Sequence, residues 1–211
     1  MDDQELQVWI DHWSAQYPVA SDATLEPLAS KHAFSHDDLE ILYRWKFRGL
    51  WPQRKINLMR AFPEHHVASL SQRAFACSDE LGALMILTLI PGARAAGASA
   101  ILTARDPARY TVMDVRALQS LITLELWSED QGVIASCLAW PDYLVACREL
   151  ADRVDRPLRT VDRALWAANG RADLPDDTGL KLERGEFTGV HGCLRRSSDP
   201  ARSEGLEPPT F

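Results

Sequence analysis

The chain has 211 residues, 46% hydrophobic and 25% charged, with a net charge of -7 and a pI near 5.4. That length is enough for one buried core, and the acidic balance argues against a protein that holds nucleic acid by charge over its whole surface. Cys77, Cys137, Cys147 and Cys193 lack CxxC pairing and zinc-spaced histidines, so no metal, cofactor or disulfide framework is expected. Neither an apolar run of membrane length nor a basic, hydrophobic leader is present, so the expected setting is cytoplasmic, with no membrane partner.

Helix signals dominate. Leu6, Trp9, Ile10 and Trp13 recur at helical spacing after an acidic first turn. Ser35, with Asp38 three residues on, opens a helix that runs through Leu39, Leu42 and Tyr43 to a stop at Gly49. Shorter helices are expected over Arg54 to Phe62 and His66 to Phe75. Ser78 is the expected cap of "DELGALMILTLI", which is apolar on nearly every side and therefore expected to be buried. Further helices follow over about Ala96 to Thr103 and Val115 to Leu124, then from Pro141, and after a cap at Thr160 to a stop at Gly170. Brief connections between such helices read as an all-α globule over residues 1 to 171. Residues 172 to 211, ending "SDPARSEGLEPPTF", carry too little apolar surface to offset ordering and are expected to be disordered. That ending reads like a frame continuing into an adjacent tRNA gene, and no function is assigned to it.

Charge is unevenly spread. Residues 1 to 40 carry nine acids against Lys31 alone, whereas residues 41 to 75 carry Arg44, Lys46, Arg48, Arg54, Lys55, Arg60 and Arg73 against Glu64. The second segment suits phosphate; the plainer alternative is a solvated basic face paired with the acidic one. Trp45, Phe47 and Trp51 are interleaved with its cations, the mix found around nucleic-acid pockets, although core packing is the ordinary role of each. Trp9, Trp13, Trp140 and Trp166 are assigned to the core. His65 and His66 read as exposed loop or cap residues, and Arg159, Asp162 and Arg163 as structural ion-pairing partners.

The stretch "LIPGARAAGASAIL", Leu89 to Leu102, has the form of a helix-hairpin-helix. Such a turn aims backbone N–H groups at a phosphate from the positive end of a helix, and it needs glycine for positive φ and close approach. With "RWK" at Arg44 to Lys46, "ASAIL" at Ala98 to Leu102, "RYTVMDVRAL" at Arg109 to Leu118 and "LRTVDRALW" at Leu158 to Trp166, the chain resembles the helix-hairpin-helix DNA glycosylase superfamily. Its motif reads approximately L-P-G-V-G-x-K-x-A, and the resemblance is closest to a less characterised bacterial branch.

That resemblance implies a DNA-binding, base-excision protein. Ile90, Pro91, Gly92, Arg94, Gly97, Lys46, Arg48 and Arg54 would face DNA, Trp45 and Tyr110 would line a base pocket, and Asp114 would be the catalytic carboxylate. Asp114 also reads plainly as the N-cap of "VRALQSL". Two departures matter. Arg94 replaces the second hairpin glycine, leaving open a guanidinium grip on phosphate or a scaffold that no longer grips. Ala96 replaces the lysine of bifunctional members, and a methyl group cannot form a Schiff base, which implies a monofunctional N-glycosylase. The alternatives are a non-catalytic DNA-binding module and a helical scaffold that does not touch DNA.

Overall fold

Side-chain caps set several helix starts in the computed structural model, which describes residues 1–18, 22–47 and 52–169. Asp2 and Glu5 form a reciprocal cap for α1 (Asp3–Ala15), and Ser35 and Asp38 do so for α2 (His36–Lys46). Then come α3 (Pro52–Arg60), α4 (Glu64–Ala76), α5 (Glu80–Thr88), α6 (Arg94–Arg105), α7 (Val115–Thr123), α8 (Trp140–Arg153) and α9 (Leu158–Ala168). No strand occurs among the described residues, so this part of the chain is all-α.

Two expected caps are corrected. Asp79, not Ser78, caps α5, its carboxylate accepting from the Gly82 N–H at 2.6 Å. The Ser78 carbonyl accepts instead from Arg109. Helix α9 starts before Thr160, after Pro157, whose ring presets φ, and the Thr160 N–H donates to the Pro157 carbonyl.

Helix α6 is the core element. Ala95 and every residue from Gly97 to Ala104 are buried, and the small side chains of its first turns, Ala95 and Gly97 to Ala100, let α2 and α5 pack closely. Helix α5 also packs on α4 and α8, and α9 gathers α1, α7 and α8. Burial of α5 is only partial. Its three neighbours leave one side uncovered, and Met85 on that side and Leu89 just beyond it are 52% and 63% exposed. Trp140 is fully buried; Trp9 and Trp13 are half-buried and pack against the core, and Trp166 is half-buried. Trp166 lies under the Arg116 guanidinium.

No described helix is long and apolar enough to cross a membrane. The expectations for Arg48, Gly49, Trp51, Gly170, Cys193 and residues 172–211 lie outside the described residues.

Candidate functional site

Residues 89–93 join α5 to α6 by a short turn with Gly92 at φ +87°. A side chain at Gly92 is disfavoured by the positive φ and by crowding, because a Cβ would lie 3.2 Å from the Lys55 carbonyl oxygen and α3 would have to give way. The close approach that favours glycine is therefore that of α3. Arg94 follows at φ +43°, a left-handed conformation that costs an arginine on the order of 1 kcal/mol. Ala93 provides no side-chain cap, so the first turn of α6 keeps its positive end open. The Tyr43 hydroxyl donates to the Pro91 carbonyl at 3.4 Å, and Phe47 packs against Gly97, fastening the end of α2 to the hairpin.

Partners divide the basic segment. Arg44 pairs with Glu40, and Arg60 with Asp37 and Glu40, so α2 neutralises part of the basic face as the plainer alternative anticipated. Arg54, Lys55 and Arg94 form no salt bridge among the described residues, yet Lys55 lies within electrostatic reach of both arginines. Burial, then the Arg94 and Arg54 charges, push the Lys55 amine below its ordinary pKa, and its Nζ rests 4.3 Å over the Phe47 ring.

Asp114 caps α7, one carboxylate oxygen accepting from the Ala117 N–H at 3.0 Å. Its other oxygen accepts from Lys46 Nζ at 2.7 Å, in a pair whose side chains are only 8% and 15% exposed. The extended backbone leading into Asp114 is held at successive residues. Val112 donates its N–H to Asp162 and accepts from the Tyr143 hydroxyl at 2.8 Å, while Met113 donates to Ser99 Oγ at 3.0 Å. Sequence reasoning missed Ser99 as a positioning residue, although it sits inside the "ASAIL" motif.

Behind this pair lies a second charged layer. Burial raises the Asp162 pKa against the pull of Arg159, its partner on the preceding turn of α9. Arg159 also pairs with Asp22 at 2.7 Å and lies over the rings of Tyr17 and Trp45. Asp162 senses both Asp114 and Lys46, so the two layers are electrostatically continuous.

The expected site residues separate into three groups. Lys46 and Asp114 meet directly, with Trp45 half-buried beside Lys46 in sequence and under Arg159. Pro91, Gly92, Arg94 and Arg54 are at least partly exposed around the turn and on α3. Ile90 and Gly97 are buried and serve packing, and Tyr110 is buried and stacked on Trp140, with Arg109 over its ring. Lys55 joins the turn although the motif does not contain it. His65 and His66 are exposed at the start of α4. No protein-family model, curated protein or solved structure matches this chain.

Proposed function

We propose that the chain binds duplex DNA through the α5–α6 hairpin, as in the helix-hairpin-helix glycosylases it resembles, and that Asp114 is the carboxylate of a base-removal site. One observation carries the DNA reading: among the described residues Arg54, Lys55 and Arg94 form no salt bridge, and Lys55, beside the turn into the uncapped start of α6, feels the charge of both arginines. Both arginines repel the Lys55 charge, and a phosphate placed among these cations offsets that repulsion while accepting from backbone N–H groups at the start of α6. The Arg94 strain keeps a guanidinium at the turn in place of a bare backbone. At Asp114, an ionised carboxylate stabilises the positive charge that a sugar acquires as its N-glycosidic bond breaks.

The test is duplex binding across a salt series. The reading expects Arg54→Ala and Arg94→Ala each to lower the slope of log affinity against log salt by about one. Arg153→Ala, which removes the partner of Asp3, should leave the slope unchanged. Absence of binding at low ionic strength removes the reading. Asp114→Asn should then abolish base release from a panel of lesion-bearing duplexes.

The engagement of both Asp114 oxygens favours a second reading, a DNA-binding module without catalysis. Tight, salt-dependent binding with no base release by the unaltered protein decides for it.

A further inference from the structure

We propose that a groove at the end of α7 receives helix α3 of a second copy of this chain. The groove has a volume of about 520 Å³; Ile122, Leu126 and Trp127 give it apolar surface, and the exposed Glu125 and Glu129 also line it. Its floor is fixed. Trp127 is buried, its indole N–H donates to the Gly132 carbonyl at 3.1 Å, and its ring meets the buried Tyr143 edge-on at 6.3 Å. The loop so pinned nevertheless turns Ile134 and Leu138 outward, 81% and 86% exposed, the most exposed large apolar side chains among the described residues. Apolar surface held open beside a groove suits contact with another protein.

Charge says what kind of surface covers it. Residues 124–139 contain Glu125, Glu129 and Asp130 but no lysine or arginine, and these carboxylates form no salt bridge among the described residues. Glu125 is also placed at a cost. The Leu126 N–H donates to the Leu121 carbonyl and the Glu125 N–H to the Ile122 carbonyl, a helix ending that puts Glu125 at φ +60°, where glycine is usual. Its carboxylate stands, besides, at the negative end of α7. The same ending closes α8 at Asp155, φ +48°, but there Arg156 is the neighbouring cation. Glu125 lacks one, so a cation brought by a partner relieves it.

The chain itself carries the complementary surface. On α3, Arg54 and Leu58 lie one turn apart on an exposed face, and Arg54 forms no salt bridge among the described residues. Leu58 of one copy enters the groove of another while Arg54 meets Glu125 and Glu129, which joins two unpartnered surfaces of matching size and opposite charge. A contact this small is weak and transient. Because Arg54 also belongs to the proposed DNA face, a docked copy and a duplex exclude each other. The contact itself does not depend on the DNA reading.

The experiment is sedimentation equilibrium of the full chain over a concentration series at low and high salt. The unaltered protein should associate at low salt and less at high salt. Glu125→Lys and Arg54→Glu should each stay monomeric at every concentration while remaining folded by circular dichroism, since both side chains are exposed. Glu125→Lys reduces the net charge of -7, which favours nonspecific association, so its loss of association reads the contact itself. Glu149→Lys, the same change at an exposed position of α8, should associate at least as strongly as the unaltered protein. Mixing Glu125→Lys with Arg54→Glu should restore association, because each variant then offers the charge that the other has lost. A monomer throughout at low salt, association that survives either reversal, or a mixture that stays monomeric overturns the inference and leaves the DNA reading standing. Duplex added to the associated protein should release the copies, and duplex bound without release also overturns the inference. Association without any duplex binding supports the contact and removes the DNA reading alone.

Discussion

Lys46 Nζ lies 2.7 Å from Asp114 Oδ2, joining the last turn of α2 to the first turn of α7 across 68 residues of sequence. Removing either partner leaves the other charge buried without its counterion. Lys46→Met should destabilise the fold by about 3–5 kcal/mol in urea unfolding. Asp114→Asn preserves the helix cap and isolates the ionic loss. The double variant should lose clearly less than the two single losses combined; additivity within about 0.5 kcal/mol would show that the pair is not coupled.

Gly92 is required by backbone geometry and by its neighbour. Gly92→Ala combines φ +87° with a Cβ 3.2 Å from the Lys55 carbonyl oxygen. It should cost at least about 1–2 kcal/mol and lower the melting temperature. An unchanged melting temperature would mean that α3 yields readily to the hairpin.

Arg94 offers a separation of binding from stability. Arg94→Gly relieves the strain at φ +43° but adds glycine's unfolded-state entropy, so stability should change by less than about 1 kcal/mol. The salt slope of DNA binding should nevertheless fall by about one. Unaltered binding would assign Arg94 to scaffold alone.

Acid sensitivity follows from three carboxylates. Burial opposes ionisation of Asp22 and Asp38, but Arg159 with Tyr17 and Arg163, and Lys31 with Ser35, outweigh it and hold both below the ordinary 3.8. Arg148 leads in holding Glu80 below 4.5. Lowered folded-state pKa values mean stability that is full above the unfolded values and lost as pH falls through the folded ones. Asp162 acts oppositely, its raised pKa removing stability as pH rises above 3.8. Urea midpoints should fall on acidification below about pH 4.5, and Asp22→Asn should flatten that fall; an equally steep profile would exclude the Asp22 cluster as a cause.

Local signals located the helices well, because capping and periodicity act over a few residues. The Ser35–Asp38 box, the Pro141 start and the Asp114 cap all read directly from adjacent side chains. The cap of α5 moved by one residue because Asp79 can reach the Gly82 N–H, a choice between neighbours that composition does not make. Exposure was harder to read. A helix α5 that is apolar on nearly every side still presents Met85 to solvent, because burial depends on which sides the packed helices cover.

At the candidate site, the hairpin outline, Arg94, Lys46 and Asp114 were legible one by one, as residue types in motifs. No periodicity relates Lys46 to Asp114, and no motif distinguishes paired Arg44 and Arg60 from unpaired Arg54 and Lys55.

By itself the sequence determined where backbone groups find local partners: the helices, their caps, and the glycine at the turn. Tertiary structure alone decided which charges are neutralised and which amine lies beside which carboxylate. The physical reason is range. A cap or a turn closes within about four residues, whereas the Lys46–Asp114 contact exists only because α2 is fastened to the hairpin while Ser99, Asp162 and Tyr143 hold the strand of chain leading to α7.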